Sequence, residues 1–172
     1  MIVLETERLT LRTVSLDDAE FILRLLNEPS FLRFIGDRGV RTIDHARAYI
    51  SSRMIESYER NGFGLWLVEL KASGGPAGIA GLVKRDTLPD VDVGFAFLPE
   101  FWSNGYAHES AAAAVRHGLE TLALPRLVAI TDPDNVASIK VLERAGLRFV
   151  RMVRLGDDVP ELRLYSSDGE AP

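Results

Sequence analysis

The sequence predicts an α/β protein of the α+β kind, in which about four helices pack on a single mixed sheet of seven strands. Two observations predict this class. Strand-like and helix-like hydrophobic patterns follow one another in the order β-α-α-β-β-β-α-β-α-β-β. The 172 residues are enough for one hydrophobic core, and neither an internal repeat nor a linker interrupts them. We therefore expect a single domain over residues 1–172.

The first part of the pattern contains one strand and two helices. Residues 8–14 alternate apolar and polar side chains, which predicts the first strand. Ser15, followed by acidic residues, is typical of a helix N-cap, and apolar residues continue after it at helical spacing. Residues 31–41 are predicted to be irregular. Thr42 then caps a second helix, which closes at Gly62.

The middle of the chain contains three successive strands and a long helix. The strands are predicted at residues 63–70, 77–83 and 91–98, and a turn with glycine and proline at residues 73–76 separates the first two. Residues 110–122, which are rich in alanine, predict the long helix.

The last part of the chain completes the sheet. Residues 127–131 predict a buried strand, and residues 135–144 predict a short helix. Gly146 ends this helix, because glycine is the usual residue just beyond a helix C-terminus. Residues 149–155 and 161–166 are predicted to be the final two strands.

Composition excludes several classes of protein. No apolar run approaches 18 residues, so a membrane span is not indicated, and the N-terminus has no signal-like segment. We therefore expect a cytoplasmic protein that does not bind membranes. The net charge of −5 disfavours nucleic acid as a partner.

Composition also limits the chemistry. The absence of cysteine excludes disulfides, zinc–thiolate sites and a thiol nucleophile. The three histidines do not have metal-ligand spacing, so we expect no metal site. No Gly-x-Ser-x-Gly segment indicates a serine hydrolase.

Residues 101–109 are the most informative segment. They lie between the strand at residues 91–98 and the long helix, and they contain Gly105. A strand that leads through a short turn into a helix leaves several backbone N–H groups unpaired at the positive end of the helix dipole. Pyrophosphate is a usual ligand of such a site. The alternative is that Gly105 serves only as a turn residue before a core helix.

Two segments resemble motifs of the GNAT N-acetyltransferases. The segment from Trp102 to Ala107 has the form Trp-x-x-Gly-x-Ala and resembles the coenzyme A pyrophosphate loop of that family, Arg/Gln-x-x-Gly-x-Gly/Ala. The segment from Asn135 to Gly146 resembles the family's Asn-x-x-Ser/Ala segment, and its separation from Gly105 is also similar. The element order matches as well, so the resemblance covers nearly the whole chain.

A third segment resembles one branch of the family. Leu4-Glu5-Thr6-Glu7-Arg8-Leu9 near the start, together with the tryptophan of the loop, looks like the RimJ/RimL type, named for ribosomal-protein N-terminal acetyltransferases. The resemblance implies a GNAT fold with a mostly antiparallel sheet that is splayed between its fourth and fifth strands, residues 91–98 and 127–131.

The resemblance also implies which residues bind the cosubstrate, acetyl-CoA. The pantetheine arm would enter the splay along the backbone of the fourth strand, and one backbone N–H there would be the oxyanion donor. The residues implied for the arm are Ala96, Phe97, Leu98, Asn135 and Ser138, and those implied for the loop and its pyrophosphate are Trp102, Ser103, Asn104, Gly105, Tyr106, Ala107 and His108. Asn135 has a second interpretation as a simple helix cap, and Ser138 as a small residue that faces the sheet.

The catalytic groups are less well indicated. Ser138 would donate a proton to the leaving sulfur, and Asp92 is a candidate general base on the fourth strand. Leu142 stands where many GNAT members have a tyrosine general acid, and residues 127–131 carry no acidic side chain. Glu109 and Glu161 are alternative bases, and a water relay is a further alternative.

The resulting hypothesis is an acetyl-CoA-dependent N-acetyltransferase. It would transfer the acetyl group directly to a primary amine, either a peptide N-terminus or a small-molecule amine, as a monomer or a homodimer. The alternative is a non-catalytic acyl-CoA-binding module of the same fold.

Overall fold

The computed structural model describes residues 1–170 and contains one sheet of eight strands in the order β1-β2-β3-β4-β5-β6-β8-β7. The strands are β1 (Ile2–Glu5), β2 (Leu9–Arg12), β3 (Leu65–Leu70), β4 (Pro76–Val83), β5 (Val91–Phe97), β6 (Leu127–Thr131), β7 (Arg148–Val153) and β8 (Leu162–Ser166). Every neighbouring pair is antiparallel except β5 and β6. All seven predicted strands are present, and β1 is an eighth that the sequence analysis missed.

Five helical regions flank the sheet in the part of the chain that the structure describes. They are α1 (Ala19–Leu26), α2 (Pro29–Phe34), α3 (Ile43–Tyr49) continuing through a π-helical stretch (Ile50–Ile55) into α4 (Glu56–Asn61), α5 (Tyr106–Arg116) with a π-helical end (His117–Thr121), and α6 (Val136–Arg144). The prediction of an irregular segment from residue 31 was wrong at residues 31–34. Pro29 ends the first helix but also begins α2, because proline is well suited to the first position of a helix.

The sheet is splayed, as the family resemblance implied. The parallel pairing of β5 with β6 consists of only two residue pairs, Val91 with Leu127 and Asp92 with Val128. Beyond Asp92 the two strands separate, and β6 continues to pair with β8 on its other side. Gly94, which follows in β5, is partly exposed, whereas a residue in a central strand with partners on both sides is usually buried. This opening between β5 and β6 is the feature on which the candidate site depends.

Helices cover both faces of the sheet. On one face, α5 and α6 pack over a core that includes Trp66, Leu127 and Tyr165. On the other face, α1 to α4 cover the half of the sheet from β2 to β5, and a small separate cluster around Leu164 covers the half from β6 to β8. Because strand side chains alternate, Asp92 points to this second face, the same face as Leu98.

Candidate active site

The loop between β5 and α5 is folded on itself. It starts with one 3-10 turn, Pro99–Phe101, and two residues in the left-handed backbone region then reverse it, Ser103 with φ +63° and Gly105 with φ +82°. The side-chain amide of Asn104 donates to the carbonyl oxygens of Phe101 at 3.2 Å and Trp102 at 2.9 Å. These bonds fix the loop as a compact turn at the start of the helix.

Helix α5 begins with unpaired donors. The first N–H with a helical acceptor is that of Glu109, which donates to the carbonyl of the N-cap residue Gly105 at 2.9 Å. Among residues 1–170, none of the backbone N–H groups from Ser103 to His108 has an acceptor, and no side chain caps the helix. Unpaired N–H groups at the positive end of a helix dipole are a common arrangement for binding an anion. The loop therefore has donors available for the predicted pyrophosphate, and its binding stays a prediction.

Helix α6 begins on a capping side chain. Asn135 Oδ1 accepts from the Ser138 N–H at 3.2 Å, so the interpretation of Asn135 as a helix cap is confirmed. The amide nitrogen Nδ2 of Asn135 has no partner among the described residues, and the side chain is only partly buried. The cap therefore leaves two donor hydrogens on Nδ2 for another group.

The edge of β5 offers backbone groups to the opening. Leu98 N–H donates to the Ala77 carbonyl of β4 at 3.0 Å, and in an antiparallel pair such residues alternate with residues that face away. Leu98 and Ala96 therefore bond to β4, whereas Phe97 and Phe95 direct their backbone groups toward β6. Of the three residues predicted to hold the pantetheine arm through their backbone, the structure brings only Phe97 to the opening, and it adds Phe95.

Trp102 partly closes this edge. Its indole Nε1 donates to the Phe97 carbonyl at 2.9 Å while the residue remains 49% exposed. This bond uses the Phe97 carbonyl. The N–H of Phe97 and both backbone groups of Phe95 remain available to an extended ligand that pairs with β5. Trp102 thus forms the wall between the loop and the opening.

Asp92 lies at the bottom of the opening, at the last residue pair between β5 and β6. It is 1% exposed, and Arg85 Nε donates to its Oδ2 at 2.5 Å. Its other oxygen, Oδ1, is buried without a hydrogen-bond partner. Burial raises the pKa of Asp92 to about 6, against the opposing effects of Arg85 and the backbone N–H of Ile130. A carboxylate with this pKa can exchange a proton near neutral pH.

The other predicted catalytic positions differ in their surroundings. Ser138 is partly buried in the first turn of α6, and its hydroxyl has no partner among the described residues. Leu142 is 1% exposed and packs in the core beneath α6. Glu161 precedes β8 and faces Arg154 at 3.8 Å, with both side chains more than half exposed.

Glu109 is fully engaged and is a poor candidate for a base. Partial burial acts to raise the pKa of Glu109. Hydrogen bonds from Thr6 and from the backbone and side chain of Arg8 outweigh this effect and hold the pKa of Glu109 below its usual range. The contacts to Thr6 and Arg8 come from residues more than 100 positions earlier in the chain. Sequence reasoning did not predict this cluster. The one signal for it was the resemblance of the N-terminal segment, which contains Thr6 and Arg8, to one branch of the family.

The described residues contain neither a metal-binding cluster nor a membrane-spanning helix. Within residues 1–170, no group of three or more His, Cys, Asp or Glu side chains is arranged to hold a metal ion. None of the helices in that range is both long and apolar enough to cross a membrane.

Comparison with known sequences gives matches over most of the chain. A family model described as an acetyltransferase (GNAT) domain matches residues 8–148. The chain is 29% identical over 148 residues to the uncharacterised N-acetyltransferase YoaA of Bacillus subtilis. The aligned region covers 85% of this chain and 82% of that protein.

Comparison with solved structures gives the same architecture. An acetyltransferase from Agrobacterium tumefaciens is 26% identical and superposes with a TM-score of 0.81 over 96% of this chain and 94% of that one. RimL, a ribosomal L7/L12 alpha-N-protein acetyltransferase in complex with coenzyme A, superposes with a TM-score of 0.83 over 96% and 97% of the two chains. Its identity is 17%, so this likeness shows the fold alone.

Proposed function

Since the chain belongs to the GNAT acetyltransferase family, we propose that it is of the RimJ/RimL type and transfers an acetyl group from acetyl-CoA directly to a primary amine. The observation that carries this proposal is the run of unpaired N–H groups from Ser103 to His108 beside an open edge of β5. A dianionic pyrophosphate needs several donors at one point, and an extended arm needs a free strand edge. The two occur together here. We take the whole chain of 172 residues as one such domain.

The residues present fit acetyl-CoA. The N–H groups of the loop would hold the pyrophosphate, and Gly105 adopts the left-handed backbone conformation that this turn needs, with φ +82°. The free backbone groups of Phe95 and Phe97 would hold the arm as an added strand, with Asn135 Nδ2 as a further donor. The bound thioester supplies the acetyl group. The N–H groups of Phe97 and Phe95 are the donors at this edge that could stabilise an oxyanion, and losing such a donor typically costs about 3 kcal/mol.

Two side chains would move the protons. Asp92, with its unpartnered Oδ1 at the closed end of the opening, would accept the proton of the ammonium form of the acceptor through a chain of water molecules. Ser138, at the first turn of α6, would donate its hydroxyl proton toward the leaving sulfur and regain a proton from the nitrogen of the tetrahedral intermediate, which loses that proton as the amide forms. The chain has no cysteine to carry an acetyl group, which supports direct transfer.

The acceptor is proposed to be an amine of low pKa. An α-amino group has a pKa of about 7.7–8.0, whereas that of a lysine side chain is about 10.4. Near pH 7.5 only about 0.1% of lysine side chains are neutral, so lysine costs about 3–4 kcal/mol more to deprotonate. Asp92, with a pKa of about 6, is too weak a base to offset that difference. A peptide N-terminus or an activated small amine is therefore favoured over a protein lysine.

One observation favours a second candidate, a non-catalytic acyl-CoA-binding module. Leu142 occupies the position of the family's tyrosine acid and is buried in the core, so no hydroxyl from that position reaches the opening. Such a module would keep the loop and bind the cosubstrate without turning it over.

Two measurements test the proposal. Acetyl-CoA at 100 times its dissociation constant should stabilise the fold by about 2.7 kcal/mol, seen as a raised melting temperature. Release of free CoA should then depend on an added acceptor, in a comparison of Ser- or Ala-starting peptides, small amines and lysine peptides with blocked N-termini. Binding without release from any acceptor would favour the module. Preferential turnover of the blocked lysine peptides would contradict the proposed acceptor class.

A further inference from the structure

The turn between β1 and β2 contacts the start of α5. Thr6 N–H donates to the Leu9 carbonyl at 2.9 Å, and the Leu9 N–H donates to Thr6 Oγ1 at 3.1 Å, which closes the turn. The same hydroxyl donates to Glu109 Oε1 at 2.6 Å. The backbone N–H of Arg8 also donates to Glu109 Oε1, at 2.9 Å, and Arg8 Nε donates to Oε2 at 2.7 Å. Both carboxylate oxygens in the first turn of α5 are thus held by this turn.

Arg8 reaches past Glu109 to the loop itself. Its Nη1 donates to the carbonyl oxygen of Asn104 at 2.9 Å, and its guanidinium lies 4.6 Å from the centre of the Tyr106 ring. A Cβ added to Gly105 would lie 3.3 Å from Arg8 Nη2, so the guanidinium borders the bare side of Gly105. Arg8 therefore contacts three consecutive residues of the loop and helix start.

The bond to the Asn104 carbonyl determines where the next N–H points. In a trans peptide unit the C=O and the N–H point in opposite directions. Because Arg8 draws the Asn104 carbonyl toward itself, the Gly105 N–H is directed away from Arg8, on the side where it has no acceptor among residues 1–170. Gly105 could otherwise rotate this peptide unit freely, because glycine occupies both signs of φ. A reversed peptide would present a carbonyl oxygen to an anion and repel it.

We infer that Arg8, anchored by Glu109 and Thr6, is a positioning residue that sets the orientation of the anion-binding loop. This inference rests on the proposed binding of acetyl-CoA. It assigns a role to the N-terminal Thr6-Glu7-Arg8-Leu9 segment, which the proposed function does not otherwise use. The role requires the planar fork of arginine, since Nε and Nη1 must reach Glu109 and the Asn104 carbonyl at the same time.

The test separates positioning from general stability and from simple charge. We propose Arg8→Met and Arg8→Lys, with Arg24→Met as the matched control. Arg24 also forms a two-bond ion pair, donating to both oxygens of Glu100 at 2.7 and 2.9 Å in the first turn of the same loop, but it donates to no loop carbonyl. Each variant is measured for its melting temperature, for its affinity for CoA by calorimetry, and for its affinity for pantetheine, which lacks the pyrophosphate, by NMR titration.

The expected result is selective for the ligand that carries the pyrophosphate. Arg8→Met should weaken CoA binding by about tenfold or more, the size expected for one charge-assisted hydrogen bond, and leave the pantetheine affinity nearly unchanged. Arg8→Lys should not restore CoA binding, since a single ammonium cannot hold both acceptors. Arg24→Met should bind both ligands as the wild type does.

Three outcomes would overturn the inference. Restoration of CoA binding by Arg8→Lys would show that Arg8 provides only charge. An equal loss of CoA and pantetheine affinity in Arg8→Met would show a merely structural role, and undiminished CoA binding would show no role at all. Failure of the wild type itself to bind CoA would instead contradict the proposed function, and this inference with it.

Discussion

Two helices begin beside the opening of the sheet, and they begin differently. Helix α6 starts on Asn135, whose side chain accepts the N–H of Ser138. Helix α5 starts on Gly105, which has no side chain, and the N–H groups up to His108 have no acceptor among the described residues. An N-cap typically stabilises a helix by about 1 kcal/mol, so α5 forgoes a stabilisation that α6 keeps. We interpret the open start as the binding end of the site and the capped start as its chemical end.

The largest expected effect concerns the open start. Gly105→Val should remove detectable acetyl-CoA binding while the protein remains folded, because a branched side chain would strain the backbone at φ +82° and displace Arg8 Nη2, which lies 3.3 Å from the added Cβ. Calorimetry measures the loss. Gly62→Val is the matched control, because Gly62 has a similar φ of +76° and no atom within 4 Å of an added Cβ. Equal affinity in folded Gly105→Val and the wild type would show that the open start is only structural.

The next effect concerns the capped start. Ser138→Ala should lower kcat by about 100-fold, the lower end for general acid catalysis, and leave the KM for acetyl-CoA nearly unchanged. Steady-state kinetics with a turned-over acceptor measure both. Ser52→Ala, which removes a hydroxyl bonded to a helix carbonyl at 2.9 Å in another helical region, is the control. A raised KM with unchanged kcat would reverse the roles assigned to the two starts.

A pH profile tests Asp92, which lies at the closed end of the opening, at the last residue pair between β5 and β6. Burial raises the pKa of Asp92 to about 6, so kcat/KM should rise with pH up to about 6 and then level off as the carboxylate ionises. Asp92→Asn should lose this limb and about 100-fold in kcat. A limb that persists in Asp92→Asn would assign it to another group.

The same shift predicts a stability change of definite sign. The folded protein keeps the Asp92 proton up to about pH 6, whereas an unfolded Asp loses it near pH 4. The folded state therefore binds more protons between these values, and the free energy of unfolding should decrease as pH rises through this window. Chemical denaturation of Asp92→Asn between pH 4 and 7 should show a weaker decrease than that of the wild type.

The smallest effect sharpens the comparison of the caps. Asn135→Ala should lower the free energy of unfolding by about 1 kcal/mol and also weaken acetyl-CoA binding by a few-fold, because Nδ2 is lost with the cap. Thr42→Ala removes an equivalent cap from α3, where Thr42 accepts the His45 N–H at 3.1 Å, and should cost stability alone. If both variants bind acetyl-CoA equally well, Asn135 is a cap and nothing more.

The sequence predicted the elements that have strong local signals. Seven strands and the main helices follow from hydrophobic period and capping residues, which act over a few neighbouring positions. β1 was missed because four residues, Ile2–Glu5, give too short a pattern to distinguish a strand from an extended terminus. α2 was missed because Pro29 marks both the end of one helix and the start of the next.

The candidate site was predictable only in the part that has a local signal. The unpaired N–H groups follow from the order of strand, turn and helix around Gly105, which is local information. The choice of Phe97 over its neighbours was not predictable, because it depends on which pairs of β4 and β5 exchange hydrogen bonds. The contact of Arg8 with Glu109 joins residues 101 positions apart and has no local signature at all.

The bond between Trp102 and Phe97 has a practical consequence. The chain has two tryptophans, and their surroundings are opposite, since Trp66 is 1% exposed in the core and Trp102 is 49% exposed at the edge of the opening. The fluorescence of an indole depends on its contact with water and on the hydrogen bond of its N–H. Trp66 should therefore give a constant, blue-shifted emission, and Trp102 a red-shifted emission that responds to whatever enters beside Phe97. The protein thus carries an intrinsic optical reporter at its own opening, which makes titrations possible without any label.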